Sequence, residues 1–202
     1  MIRSLRTLKR DKRGVTLVEF AFVAPVLCLL LMGAFDFGYQ LYTDAILQGI
    51  VQKTARDSSL ENGGSSAVQA QLDNEVIKQV HDIAPDSTVT ISRRYYKDFS
   101  SAAAADPEPF TDTNGDGTCD DGEPYEDDNL NGVWDKDGGN SGQGGAKDST
   151  VYTVTVQLPR VFPLWKFIGG DPVATLVART ILRNQPYGDQ TFYGTPVQRN
   201  CT

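Results

Sequence analysis

The chain has 202 residues and a formal net charge of −7 at pH 7, which is enough for a membrane anchor and one domain of ordinary size. Six basic side chains lie within the first fourteen residues, and the rest of the chain contains 13 basic and 25 acidic residues. An acidic body lacks the lysine and arginine that neutralise phosphates, which excludes nucleic acid as the expected partner and favours divalent cations.

The composition also argues against an enzyme. The chain has a single histidine, His81, and no CxxC pair, so a histidine-based zinc centre or a Ser-His-Asp triad would have to be built around that one residue. No pairing of a nucleophile with a base stands out. We therefore expect neither catalysis nor a small-molecule substrate.

An apolar run follows the basic leader (residues 1–14). It extends from Val15 to about Phe35, interrupted only by Glu19, and its roughly 21 residues suffice for a helix to cross a hydrocarbon core of about 30 Å. The basic leader should stay in the cytoplasm and everything after Asp36 should be exported. A cleaved signal peptide has a shorter apolar region and a small-residue cleavage site, so we predict a single span of a bacterial inner membrane, with a periplasmic or extracellular C-terminal domain.

Glu19 is the unusual residue of this run, because a carboxylate in a membrane helix costs on the order of 3 kcal/mol. If the chain were cut after Gly14, Val15 would carry a free α-ammonium group and Glu19 would be the fifth residue. Glu19 could then pair with the α-ammonium group of a neighbouring subunit. The alternative is that Glu19 lies at the headgroup boundary and reaches water.

The basic leader, Gly14, the Val18-Glu19-Phe20 motif, Pro25 and the aromatic stretch around Gly38 together resemble the TadE-like family of minor pseudopilins of the tight-adherence (Tad) pilus. The resemblance covers about the first quarter of the chain. It implies cleavage between Gly14 and Val15 by a prepilin peptidase. It also implies a role in pilus biogenesis beside other Tad pseudopilins and assembly proteins. The competing hypothesis is an uncleaved single-span adhesin or assembly scaffold.

The exported part is predicted to be α+β. The first helix should continue to a stop at Asn62-Gly63-Gly64, and a second helix should end at Pro85. Alternating segments then predict antiparallel strands. The apolar stretch 163–170 is interpreted as packing on the sheet, with contact to the membrane surface as the alternative. The strands are expected at residues 88–96, 151–158 and 173–183, and the predicted segments are residues 1–14, 15–62, 63–105, 106–147 and 148–202.

Residues 106–147 form an acidic insert in which the EF-hand loop pattern D-x-[DN]-x-[DN]-G-x5-E is complete. Oxygen ligands in this number suit Ca²⁺, and Gly117 permits the sharp turn of the loop. The alternative is a solvated, flexible loop without an ion. The predicted ligands of the first loop are Asp112, Asn114, Asp116, Thr118 (through its carbonyl), Asp120 and Glu123.

The insert repeats with an offset of fifteen residues, since Glu108-Pro109-Phe110 recurs as Glu123-Pro124-Tyr125. Gly138 stands in the second loop where a glutamate is expected. This loop should therefore bind Ca²⁺ more weakly or borrow a ligand such as Asp137. Its predicted ligands are Asp127, Asn129, Asn131, Val133 (through its carbonyl) and Asp135.

Cys119 and Cys201 lie outside the apolar run, in what should be an oxidising compartment. A disulfide between them is compatible with that compartment, but the sequence does not show that their α-carbons approach each other. Two unpaired thiols are the alternative.

Overall fold

The computed structural model describes residues 14–60, 65–185, 189 and 191–202. Residues 1–13 of the basic leader and the predicted stop at Asn62-Gly63-Gly64 lie outside the described residues. The chain divides into two compact units, and each is described by itself. The first unit comprises residues 1–42 and 159–174, and the second comprises residues 43–158 and 175–202.

Helix α1 spans Val15–Ser58, a length of 44 residues. It contributes residues 15–42 to the first unit, where its apolar side chains are mostly exposed. The helix continues through Pro25, which removes one N–H group from the helical hydrogen-bond ladder. In the described part of the chain it is the one helix long and apolar enough to cross a membrane.

The first unit is completed by the connection between two strands, β4 (Ser149–Pro159) and β5 (Val173–Arg183). This connection holds a four-residue helix, α4 (Trp165–Ile168), which ends at Gly169 with a left-handed φ of 74°. Glycine adopts this conformation without the steric cost that other residues incur.

The second unit is built on a four-stranded sheet with the order β3 (Asn140–Ser141), β1 (Thr88–Tyr96), β4 and β5. Strand β1 pairs antiparallel with β4 and, on its other side, with the short strand β3. Helix α2 (Ser66–Ile83) precedes the sheet and ends two residues before Pro85. This mixture of helices and small antiparallel sheets confirms the predicted α+β class.

The core of the second unit lies between the last turns of α1, helix α2 and the sheet. From Tyr152 to Leu158 buried side chains alternate along β4, as expected for a strand with one face on a core. In α2, Val76 and Val80 are buried at the spacing of one helical turn. The buried core residues are Leu47, Ile50, Val51, Ala55, Val76, Val80, Tyr152, Val154, Val156 and Ala178.

Five elements were not predicted from the sequence. They are helix α3 (Phe99–Ala104), the short strand β3, the short helix α4 and a second sheet, in which β2 (Pro124–Asp127) pairs antiparallel with β6 (Val197–Asn200). The C-terminal tail lacks hydrophobic periodicity, and its strand exists because the acidic insert offers it a pairing edge. The tail is therefore part of the second unit's architecture.

Replacing Leu47 with alanine should lower the free energy of unfolding by about 3 kcal/mol, because a buried leucine leaves a cavity when truncated. Leu47 is 1% exposed. Denaturant unfolding of the full chain in detergent micelles, followed by near-UV circular dichroism, measures the change. Leu60→Ala is the control, since Leu60 is 50% exposed and should change stability by less than about 0.5 kcal/mol. Equal effects of the two substitutions would contradict the described core.

Candidate functional site

The predicted processing site lies at the start of α1. Gly14 immediately precedes the helix, and its carbonyl accepts a hydrogen bond of 3.1 Å from the backbone N–H of Val18. A Cβ atom added at Gly14 would meet no other atom within 4 Å. Val15 and Glu19 are four residues apart on this helix and share one face. Glu19 is exposed, and no ion pair involving it occurs among the described residues.

The acidic insert contains two loops that fold alike: the first loop (residues 112–123) and the second loop (residues 127–138). In each, the leading aspartate, Asp112 or Asp127, accepts a hydrogen bond of 2.9 Å from the N–H of the glycine five residues later. Side-chain oxygens at the third and fifth positions accept hydrogen bonds of 2.8–3.0 Å from the N–H two residues on. The sequence repeat is therefore also a structural repeat.

The segments that precede the two loops pair with each other. Residues 109–111 and 124–126 form an antiparallel bridge centred on Phe110 and Tyr125. Two backbone hydrogen bonds, of 2.9 and 2.8 Å, flank the bridge. They join equivalent positions of the repeat in opposite directions, which relates the two loops by an approximate twofold arrangement.

Glu123 closes the first loop. Its side chain is 2% exposed, and Oε1 accepts hydrogen bonds from the backbone N–H groups of Thr113 at 2.6 Å and Asn114 at 3.4 Å. The other oxygen, Oε2, accepts a hydrogen bond of 3.4 Å from the N–H of Asp120. The carboxylate thus holds the beginning and the end of the loop together.

Glu108 does the same for the second loop, although it lies before the first. It is 1% exposed, and its Oε1 accepts hydrogen bonds from the N–H groups of Asp128 at 3.0 Å and Asn129 at 3.4 Å. Its Oε2 accepts one of 3.0 Å from Asp135. The three N–H groups that bind Glu108 each lie fifteen residues after one of the three N–H groups that bind Glu123.

Asp137, which the loop pattern suggested as the borrowed carboxylate, has its hydrogen bonds outside the second loop. Asp137 accepts a hydrogen bond from the Tyr96 hydroxyl and forms an ion pair of 3.5 Å with Arg94. Glu108 was missed because it lies outside the loop pattern. The signal that could have found it is the Glu-Pro-aromatic repeat, which pairs Glu108 with Glu123.

The carboxylates of the two loops differ in the direction in which the surroundings shift their pKa. The backbone N–H of Thr113 is the main reason that the pKa of Glu123 lies below its usual value. Burial raises the pKa of Glu108. Desolvation, followed by the nearby carboxylate of Asp116, raises the pKa of Asp120. Positive charge near Asp120 would therefore favour its ionised form.

The donor set is suited to a hard cation, but its side chains bind one another. In the described part of the chain, no group of three or more His, Cys, Asp or Glu side chains is arranged to hold a metal ion. The amide nitrogens of Asn129 and Asn131 donate to the carboxylate of Asp135 at 2.7 and 2.6 Å. In the first loop the amide of Asn114 donates to Asp116 at 3.0 Å.

The remaining predicted ligands are placed as follows. Thr118 and Val133, at the seventh position of each loop, donate their backbone N–H into their own loop at 2.8 Å. The fully buried carboxylate of Asp127 forms an ion pair of 2.5 Å with the Nε atom of Arg199, which belongs to β6. The second loop therefore already holds one positive charge.

The C-terminal tail is fastened to the first loop. Cys119 and Cys201 form a disulfide with a Cα–Cα distance of 5.6 Å. The backbone of Cys201 accepts a hydrogen bond of 3.0 Å from Gly122 and donates one of 2.8 Å to the carbonyl of Glu123. The residue that closes the first loop is thus held by the tail on its backbone side.

Comparison with known families relates the N-terminal helix to pilus proteins. Residues 14–56 match the family model described as TadE-like protein, so the resemblance predicted from the sequence is confirmed over this part of the chain. TadE-like pilus components are structural proteins. No curated protein and no solved structure matches the chain. The acidic insert lies outside the matched residues.

Removing the disulfide by Cys119→Ser with Cys201→Ser should lower the free energy of unfolding by roughly 2–5 kcal/mol, because the bond closes a long loop of the unfolded chain. The two residues are separated by 82 positions. Thermal unfolding with and without reductant measures the effect. Cys28→Ser is the matched control, since Cys28 is exposed and unpaired. Identical unfolding of the double variant and the wild type without reductant would contradict the prediction.

Proposed function

We propose that this chain is a non-enzymatic, membrane-anchored pseudopilin-like component of Tad-type pilus assembly, processed after Gly14 by a prepilin peptidase. The observation that carries the proposal is the TadE-like match over residues 14–56. It coincides with a candidate membrane span that begins at Val15. The leader then lies in the cytoplasm, and the second unit lies on the far side of the bacterial inner membrane.

Glu19 supplies the pairing step of this proposal. After cleavage, Val15 carries an α-ammonium group, and the exposed carboxylate of Glu19 lies one helical turn from it. An unpaired carboxylate in hydrocarbon is costly. Pairing Glu19 with the α-ammonium group of a neighbouring subunit offsets that cost and fixes the axial register between two helices.

The N-terminus tests the processing step. Protein purified from its native membrane should begin at Val15, whereas Gly14→Leu should retain the leader, because the bulky side chain blocks access to the cleaved bond. Intact mass and N-terminal sequencing distinguish the two forms. The control is Gly38→Leu, at a position within α1 where an added Cβ also meets nothing within 4 Å; this variant should be cleaved normally.

A wild-type chain that retains Met1 would contradict the pseudopilin route. The protein would then be an uncleaved single-span adhesin or assembly scaffold, and its function would have to be sought in the acidic insert.

We also propose that Ca²⁺ orders the acidic insert. The support is the complete ligand pattern of the first loop and the identical winding of the second. It also includes the two buried glutamates that close both loops. Ca²⁺ accepts six to eight oxygen ligands, and the loops offer carboxylates, amide oxygens and a carbonyl. Binding would require the amide oxygens of the asparagines to face the ion, although in the structure they accept backbone hydrogen bonds within their own loops.

In this proposal Glu123 completes the first loop and Glu108 completes the second. The ion neutralises carboxylates that otherwise repel one another, so its role is structural. The second loop should bind more weakly, because Arg199 competes for Asp127. Helix-less loops of extracellular proteins bind Ca²⁺ with Kd near 10⁻⁴–10⁻³ M, which implies occupancy outside the cell and no signalling role.

Calorimetric titration of the chelator-treated full chain with Ca²⁺ tests the assignment. Asp112→Ala with Glu123→Ala should abolish binding to the first loop and leave the second. Glu108→Gln should abolish binding to the second loop, because it removes the negative charge at the closing position. Asp137→Asn is the matched control and should leave both sites.

Unchanged binding in the Asp112 and Glu123 double variant would place the site elsewhere. Loss of the second site in Asp137→Asn, with Glu108→Gln unaffected, would overturn the role of Glu108.

A further inference from the structure

The first unit contains an apolar segment that the proposed function does not use. This segment, residues 161–170 between β4 and β5, is here called the tip. Val161 is 58% exposed and Phe167 is 74% exposed. Residues 163–170 of this segment were predicted to pack on the sheet, with contact to the membrane surface as the alternative. The structure instead places Leu164 beside Gly33 of α1 and leaves the ring of Phe167 mostly exposed.

Asp36 fixes the base of the tip to α1. Its carboxylate is buried and accepts hydrogen bonds from Arg160 Nη1 at 2.8 Å and from the backbone N–H of Val161 at 3.2 Å. Gln40, one helical turn later, donates to the same carboxylate at 2.9 Å. Breaking one partner of a buried, hydrogen-bonded ion pair is strongly unfavourable. The position of the tip along the helix is therefore well defined.

That position is the end of the candidate membrane span. Asp36 is the first charged residue after the apolar run, which ends at Phe35. A Cβ atom added at Gly33 would lie 3.7 Å from Cδ1 of Leu164. Gly33 precedes Asp36 by three residues, or about 4.5 Å along the helix axis. The tip thus passes the level of Asp36 and reaches the depth at which α1 is still apolar.

The side chains of the tip have the chemistry of a membrane interface. Trp165 is half-buried, and the Nζ atom of Lys166 lies 5.2 Å from the centroid of its ring. Tryptophan is enriched where hydrocarbon meets headgroups. Lysine places its charge among anionic phosphates while its methylene stem lies along apolar surface. Phe167, beside them, presents an apolar ring that no described residue covers.

We propose that the tip is a second membrane contact, in which Phe167 and Trp165 insert into the interface of the bilayer that α1 spans, on its exported side. Lipid is the occupant, because the tip is continuous with the span and already lies at its depth. The inference rests on the proposed membrane anchorage through α1. It assigns the tip a role in setting how the anchor stands in the bilayer.

Tryptophan quenching in the full chain tests this contact, since the chain has only two tryptophans. The protein is reconstituted in phosphatidylcholine–phosphatidylglycerol vesicles whose acyl chains are brominated close to the headgroup. Trp134→Phe leaves Trp165 as the reporter, and bromine should reduce its fluorescence about twofold if the ring lies at the acyl boundary. Trp165→Phe leaves Trp134, in the acidic insert, which should not be quenched. The difference in quenching between the wild type and Trp165→Phe gives the contribution of Trp165 a second time, without a substitution at Trp134.

Phe167→Asp should lower the bromine quenching of Trp165 and increase its quenching by aqueous iodide. Phe192→Asp is the matched control, because Phe192 is 91% exposed in the second unit and should leave both values unchanged. Two outcomes overturn the proposal: Trp165 accessible to iodide and insensitive to bromolipid, or Trp165 shielded from both, which assigns the tip to a contact with protein.

Flotation of the vesicles after an alkaline wash separates this inference from the anchorage on which it rests. A chain that floats but lacks quenching overturns the tip alone. A chain that is washed off overturns the span, and the tip contact with it.

Discussion

The constraint from which the rest follows is the surface of α1 between Phe20 and Phe35. Its side chains are apolar on every face and are mostly exposed, and a helix without a polar face is not stable in contact with water. Each exposed apolar Å² costs roughly 25 cal/mol relative to burial. The helix therefore requires lipid or other apolar helices over this length. From Leu47 onwards the same helix buries its apolar side chains against α2 and the sheet. The apolar surface of α1 is therefore covered by protein in this part, whereas the part before Phe35 needs lipid or other helices to cover it.

The acidic insert meets the opposite requirement, which is to place many carboxylates close together. Backbone N–H groups provide most of the compensating hydrogen bonds. In each loop several of them donate to the leading aspartate and to the closing glutamate. The compensation is incomplete in the first loop, because desolvation and, after it, the neighbouring carboxylates raise the pKa of Asp120. In the second loop, Arg199 supplies a full positive charge to Asp127. A divalent ion would act on the charge that remains in the first loop.

Elements encoded by local pattern were predictable from the sequence, and elements that depend on distant partners were not. The start of α1, the range of β1 and the range of β5 follow from apolar runs and alternation, and they agree with the structure. Strand β6 has four exposed residues and no hydrophobic alternation. It exists because β2 offers a pairing edge and because the Cys119–Cys201 bond brings the tail back. Glu108 escaped prediction for the same reason, since the loop that it closes begins nineteen residues later.

Each loop of the insert is closed by a glutamate that belongs to the other repeat. Glu123 opens the second repeat and closes the first loop, while Glu108 opens the first repeat and closes the second loop. Neither repeat contains its own closing carboxylate, so a single fifteen-residue unit would leave its loop open. The antiparallel bridge between Phe110 and Tyr125 brings Glu108 to the second loop, whereas Glu123 follows the first loop directly in the chain. The second loop therefore closes only when the bridge has formed, and an ion of the kind proposed above would stabilise the bridge from that side.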